Sequence, residues 1–242
     1  RESGSIEQDA DVVMFIHREK DEESNAKAEM AEILIEKNEL DEAARLLTAS
    51  RIHFEVQWGT DDPKIGAIAM QQSTVALLRD NAQDGIAFAT EAQNIFGASK
   101  QIASYIDATC LLAQAQNLQE RDSPAARKTS EECVSLSAKY PSPNTQRHFV
   151  EMANIAMDGN DVAKADQLLK MATGATKTSS AGLVLAWLRL QELQKSFALD
   201  DSVFDKVRLT LRQQIPVQED LIRAVEALRA SFYCRTQRSF DG

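Results

Sequence analysis

Leu34-Ile35-Glu36-Lys37-Asn38-Glu39-Leu40-Asp41-Glu42-Ala43-Ala44-Arg45-Leu46-Leu47 decides how the rest of this chain is read. It has the form of one amphipathic helix ending, a polar turn, a small residue, and a second helix beginning. Asn, Asp and Ser ahead of a helix accept the N–H groups that its first turn leaves without partners. Small side chains just past the turn let two consecutive helices approach closely.

The same form returns along the chain. It appears at Asn81-Ala82-Gln83-Asp84-Gly85-Ile86-Ala87, at Arg121-Asp122-Ser123-Pro124-Ala125-Ala126 and at Gly159-Asn160-Asp161-Val162-Ala163-Lys164-Ala165. Aligning Ala43, Gly85, Ala126 and Ala165 gives steps of 42, 41 and 39 residues. A weaker fifth member, Asp200-Asp201-Ser202-Val203-Phe204-Asp205, lies about 40 residues further on. Self-similarity at such a period marks a stacked repeat. Pro124 suits a first helical position, where its missing N–H is harmless, and Gly159 suits a helix end.

Apolar spacing between the turns has the helical period. It runs through Ile68, Val75, Leu78; Ile86, Ala89, Ile95, Phe96; Leu111, Leu112, Ala115, Leu118; Val162, Ala165, Leu168, Leu169; and Leu183, Ala186, Trp187, Leu190, Leu193. Helix pairs are predicted near 26–50, 64–97, 100–139, 145–175 and 181–213, closed by a helix near 217–234. The expected fold is all-α: a right-handed α-solenoid of about five helix hairpins. The expected organisation is a leader over 1–25, a repeat domain over 26–234 and a tail over 235–242.

The turn quoted first resembles the inter-helix turn of tetratricopeptide-repeat proteins. The step of about 40 departs from that family's roughly 34 residues, and most aromatic and proline signature positions are missing. A longer-stepped relative is the expectation. Stacked hairpins leave a long concave groove, which implies a bound protein or peptide, and side chains rather than fold decide what binds. Polar residues on the first helix of each pair are the candidates: Gln71, Gln72, Gln114, Asn117, Asn154 and Arg189. The simpler account of all six is ordinary solvated positions.

Composition agrees with helices. Of 242 residues only 9 are glycine and 5 proline, and 43% are hydrophobic, enough for a real core. The net charge of −10 repels phosphate backbones, so direct nucleic-acid binding is not expected. No apolar run reaches the ~20 residues that span a bilayer. Cys110, Cys133 and Cys234 are odd in number and far apart, and Cys110 sits in the apolar run Ala108-Thr109-Cys110-Leu111-Leu112 and reads as a small core residue; an intracellular, reduced protein, cytoplasmic or nuclear, is expected.

The N-terminal residues carry a second signal. Arg1-Glu2-Ser3-Gly4-Ser5-Ile6-Glu7-Gln8-Asp9-Ala10-Asp11 runs into Val12-Val13-Met14-Phe15-Ile16 and His17-Arg18-Glu19, and after an acidic insert into Ala31–Lys37. Together these resemble the late part of the ATPase domain of DnaB-type replicative DNA helicases, over about one seventh of the chain. The resemblance implies that Lys37 stands where a phosphate-contacting lysine would. The arginine two residues on is replaced by Glu39, and the K-x-R-N-G-P turn is lost. No G-x-x-x-x-G-K-[S/T] loop occurs in the sequence. ATP and magnesium are therefore expected only in a full-length helicase parent, and no cofactor is expected here.

The two resemblances conflict over Ala31–Lys37. The helicase implies a buried strand, whereas the repeat implies a helix with Met30, Ile33, Leu34 and Lys37 in helical spacing. With only Val12–Ile16 to pair with, a strand would form a marginal two-stranded ribbon, so helix is predicted, leaving the leader as strand or disordered. His17, His53 and His148 show no metal-ligand spacing. Asp61-Asp62-Pro63 reads as a helix start, Trp58 as a residue of a long loop, and Trp187 as core. Arg229, Arg235 and Arg238 make the C-terminal end locally basic. The expected function is a non-enzymatic repeat scaffold for protein–protein interaction, with a helicase fragment as the alternative.

Overall fold

The computed structural model describes residues 25–175, 180–194 and 226. Among these are nine helices and no strand. Helix α1 covers residues 25–36, followed by α2 (Leu40–Trp58), α3 (Pro63–Leu78), α4 (Ala82–Ala98) and α5 (Ile102–Gln119). Then come α6 (Pro124–Lys139), α7 (Thr145–Asp158), α8 (Val162–Ala175) and α9 (Ala181–Leu193). Residues 31–36 are helical and Lys37 and Asn38 form the turn, as the repeat spacing requires. The weak fifth turn, the helix near 217–234 apart from the helical Glu226, the basic end and the boundary at 234 lie outside the described residues. The chain divides into two compact units, Arg1–Glu120 and Arg121–Gly242.

One backbone device makes the turns. Asn38, Asp80, Lys100, Asp122 and Asn160 all have φ between 57° and 61°. Asn and Asp tolerate this left-handed conformation better than other side-chain-bearing residues. The next N–H then reaches back to a carbonyl of the last helical turn: Glu39 to Leu34 (2.8 Å), Asn81 to Ala76 (2.9 Å), Gln101 to Phe96 (3.0 Å) and Asp161 to Ala156 (2.8 Å). This is the Schellman closure of a helix end. At three of these five turns the new helix opens at once on a capping side chain, whereas Glu39 and Gln101 make no side-chain cap. Asn81 accepts from the Asp84 N–H (3.2 Å), Ser123 from that of Ala126 (3.2 Å) and Asp161 from that of Lys164 (3.0 Å). Pro63 and Pro124 open α3 and α6 behind the caps Asp62 and Ser123.

In the first unit the core gathers Ala31 and Leu34 of α1, Ala43, Leu47 and Phe54 of α2, Ile65, Ile68 and Val75 of α3, and Ile95 of α4. A second cluster joins Ala69, Ala92, Phe96 and Ala108. Helix α3 packs on α2, α4 and α5, and α4 packs on α5. Buried polar groups are tied across helices. The Ser73 hydroxyl donates to the Gly85 carbonyl (2.8 Å), and the Gln93 amide to the Thr109 hydroxyl (2.9 Å). In the second unit α7 packs on α6, α8 and α9. The buried Ser137 hydroxyl lies 2.9 Å from Nδ1 of the buried His148, and Gln146 donates to the Ala172 carbonyl (3.3 Å).

The aligned small residues Ala43, Gly85, Ala126 and Ala165 are all buried. A Cβ on Gly85 would stand 3.3 Å from Leu77 Cδ2 and 3.4 Å from the Ala115 methyl. Gly159 has an ordinary φ of −81°, so Asn160 and not Gly159 supplies the left-handed residue. Gly159 is small because a Cβ there would lie 2.6 Å from the Asp122 carboxylate.

Several expectations are corrected. Helix α2 continues to Trp58, so Trp58 belongs to a helix and the connection is only residues 59–62. Lys64 Nζ lies 4.8 Å from the Phe54 ring centre and 5.2 Å from that of Trp58, a cation over two aromatic faces. Trp187 is only partly buried, its indole N–H 3.4 Å from the Thr173 hydroxyl. Leu78 and Leu118, placed in core stripes by spacing, are exposed. Cys110 is buried in the first unit, as its apolar run suggests, but it is disulfide-bonded rather than a free thiol. Cys133, buried in the second unit, is disulfide-bonded too. Count and spacing do not report which cysteines find a partner sulfur, so they carry no argument for a reducing compartment.

Gly66 on α3 provides a test of helix approach. A Cβ there would sit 2.9 Å from Phe96 Cζ and 3.2 Å from Ile95 Cγ2, inside the core. Gly66→Ala is expected to destabilise the first unit by ~1–3 kcal/mol through overpacking. Gly174→Ala, with nothing within 4 Å, is expected to be neutral or slightly stabilising, since alanine favours a helix. Urea unfolding of both variants checks the contrast.

Candidate binding surface

Registering α3, α5 and α7 on one another exposes a regularity finer than the turns. Positions 67, 71, 74 and 78 on α3 repeat at 107, 111, 114 and 118 on α5 and at 147, 151, 154 and 158 on α7, each step 40 residues. None of these twelve positions is buried, although most of the surrounding helix is. The spacing of four, three and four residues draws one stripe along a helix. A step of 42 residues back from α3 gives Asn25, Glu29, Glu32 and Glu36 on α1, all exposed.

In the first unit the stripes of α3 and α5 lie on packed neighbours. They carry Ala67, Gln71, Thr74 and Leu78, then Asp107, Leu111, Gln114 and Leu118. Exposed Leu78 and Leu118 occupy the same register position. With the carboxylates of α1, the face is acidic at one side and mixed amide and leucine at the other. The Gln71 side-chain oxygen is enclosed without a hydrogen-bond donor, a condition worth ~1–3 kcal/mol against the fold. The Gln114 amide donates to the Cys110 carbonyl (3.4 Å).

The other sequence candidates fall elsewhere. One residue on a helix is a rotation of about 100°, so Gln72 turns away from the stripe that holds Gln71. It is buried and accepts from Arg51 Nη1 (3.1 Å). Asn117 is also buried. Neither is a solvated groove position. Asn154 is on the α7 stripe, and α9 brings Arg189 to it. Arg189 donates to the Asn154 side-chain oxygen (3.4 Å) and to Asp158 Oδ1 (2.6 Å). Arg147 pairs with Glu151 at 3.6 Å. The α7 stripe is thus largely closed by its own ion pairs, whereas that of the first unit keeps Leu78 and Leu118 exposed. Lys37 is exposed at the α1–α2 turn, between Glu36 and Glu39 in the chain.

Two charged constellations escaped the sequence reading. Arg51 of α2 is held between helices: Nε donates to Glu55 (2.6 Å), while Nη1 and Nη2 grip both oxygens of Glu91 on α4 at 2.8 and 2.5 Å. Bidentate geometry makes this among the stronger ion pairs, and the Glu91 contact holds the guanidinium above its ordinary pKa. In the second unit a cleft of about 480 Å³ is lined by Asp122, Arg127, Glu131, Asp161 and Lys164, among others. There Arg127 is paired with Asp122 and Lys164 with Glu131 (3.2 Å). The cleft is charged, but these cations are already neutralised. Among the described residues no cluster of His, Cys, Asp or Glu could hold a metal, and no helix is long and apolar enough to cross a membrane.

Comparison with known proteins bears on both parts of the chain. Residues 1–49 match the model of the DnaB-like helicase C terminal domain. The match continues beyond Lys37, where the residue-by-residue likeness ends, into α2. No curated protein matches the sequence. In three dimensions the chain is similar to a Podosopora anserina putative kinesin light chain with nearly identical TPR-like repeats. A point variant of that protein gives a TM-score of 0.58 at 16% identity, covering 88% of this chain and 96% of that one. A second structure of that protein gives 0.56 at 16%, covering 86% and 95%. The likeness establishes the fold, an all-α tetratricopeptide-like solenoid.

Two outcomes test these electrostatics. A double-mutant cycle of Arg51→Met and Glu91→Gln is expected to give a coupling of about 1 kcal/mol in urea unfolding, modest because both side chains keep some solvent. The hydrogen bond from Arg127 holds the Asp122 carboxyl below its ordinary pKa. A depressed folded pKa stabilises above the unfolded value and is lost as pH falls through the folded one. Arg127→Gln should therefore raise the Asp122 pKa in an NMR titration and remove that acid sensitivity.

Proposed function

We propose that this protein is a helical-repeat scaffold that binds a segment of another protein along the open stripes of its first unit. The observation that carries this reading is the repeated register. The same four positions escape burial on α1, α3 and α5, while much of the rest of α3 and α5 is buried. Leucines stand exposed at the same place on two neighbouring helices. Exposed leucines at an ordered spacing suit a partner's apolar side chains, and the enclosed Gln71 oxygen would gain a donor by turning outward to a bound backbone. The carboxylates Glu29, Glu32 and Glu36 favour a partner with basic residues at one end. Such attraction weakens with salt. The net charge of −10 supports a protein rather than a nucleic acid as partner.

The helicase resemblance supports a second reading for a parent protein, since residues 1–49 match that domain. Within this chain, however, residues 25–36 and the start of α2 serve a helix hairpin whose buried side chains belong to the repeat core.

Selection of a displayed peptide library against the full chain tests the proposal. Enriched sequences should combine basic and leucine-like residues and bind more weakly as salt rises. Replacing Leu78 and Leu118 by Ser should weaken them about tenfold, the loss of ~1.4 kcal/mol. Replacing Arg45 and Thr48 on the exposed side of α2 should leave binding unchanged. Selected peptides indifferent to Leu78 and Leu118 would sink the assignment.

A further inference from the structure

The last position of the register shared by α1, α3 and α5 has a composition of its own. It holds Glu36 on α1, Leu78 on α3 and Leu118 on α5. All three are exposed, the leucines at 53% and 36%. Helix α3 packs on α5, and α1 shares a buried core with α3 through Leu34, Ile68 and Val75. Consecutive helices reverse at each short turn, so α1, α3 and α5 run the same way and equivalent positions stand side by side. Packed helix axes lie about 8–10 Å apart. An acid, a leucine and a second leucine therefore form one line across the helices at about that step. One turn back on each helix, Glu32, Thr74 and Gln114 form a parallel polar line.

That step selects the conformation of a chain lying along it. A β-strand returns to one face every two residues, about 7 Å, which is too short. A polyproline II chain returns every three residues, about 9 Å. An α-helix presents one face again after seven residues, about 10.5 Å. Hydrogen bonding separates the last two. A helix has spent its backbone groups on itself, whereas a polyproline II chain has no internal hydrogen bonds. The Gln71 side-chain oxygen is enclosed without a donor, and it lies one turn from Thr74 in the polar line. A backbone over Thr74 and Gln114 offers that oxygen an N–H and leans its side chains onto the leucines. Resting on the peptide-binding reading above, we propose that the partner segment is a polyproline II stretch crossing the first unit's helices. Its recognised residues are one basic and two apolar, each three residues from the next. The basic residue meets Glu36 and the apolar ones meet Leu78 and Leu118, so Glu36 sets which end of the segment lies at α1.

Fluorescence anisotropy of labelled peptides on the full chain tests this. The probes are Arg-Ser-Pro-Leu-Ser-Pro-Leu and its reversed sequence, one for each chain direction, and one of the two is expected to bind. Adding a residue between its leucines should weaken it about tenfold, the order expected for one apolar side chain. Glu36→Lys places a cation at a helix C-terminus, which the fold favours. It should weaken the peptide about fivefold, the scale of an exposed ion pair, and a peptide with glutamate in place of arginine should recover the loss. Leu118→Ser should cost nothing further once the peptide's terminal leucine is serine. Failure of both probes, or indifference to Glu36→Lys, would overturn the proposal. So would a tighter peptide with leucines seven residues apart that loses binding when proline is inserted. That last outcome assigns a helix and leaves the scaffold reading standing, because it still requires Leu78 and Leu118. Binding indifferent to both leucines would remove the two readings together.

Discussion

The left-handed residue at each hairpin turn is the constraint on which the other features depend. With φ near 60° at Asn38, Asp80 and Asn160, the following N–H closes the finished helix and the next residue opens a new one. The chain reverses in about three residues, so helices paired within one unit lie close, as α3 with α4 and α7 with α8. That closeness explains Gly85 and the buried alanines beside the turns. It also keeps α3, α5 and α7 in one register of 40 residues, because turns of one design join helices of nearly one length.

Register then sorts each first helix into faces. The buried stripe holds the helices together, and the stripe one residue away stays partly or fully exposed. Gln71 and Gln72 differ by a single position, yet one lies at the open face and the other is committed to Arg51. The same rotation separates Leu78, exposed, from Val75, buried. Two units that share this register differ in how they use it. The first leaves Leu78 and Leu118 exposed, whereas the second ties Arg147, Glu151, Asn154, Asp158 and Arg189 into its own pairs.

Much of this was legible beforehand. Asn, Asp, Ser and Pro at the turns act through bonds within four residues of themselves, so their meaning does not wait for the rest of the fold. Helix pairs, and the helical choice for residues 31–36, followed from those turns and from apolar period. The two misplaced leucines share one cause. Leu78 and Leu118 keep helical spacing with core residues but sit at the rim of the apolar arc, and a period does not say how wide that arc is. The twelve-position stripe could have been found by aligning the first helices at 40 residues, though which stripe was open could not.

By itself the sequence determined the helices, their turns and the repeat step, because these rest on local hydrogen bonding and on side-chain period. Only the tertiary structure decided which polar residues are available to a partner and where Arg51 finds Glu91. Those depend on contacts between residues some 40 positions apart, and the angle at which one helix meets the next is set by packing of the whole layer rather than by any one segment.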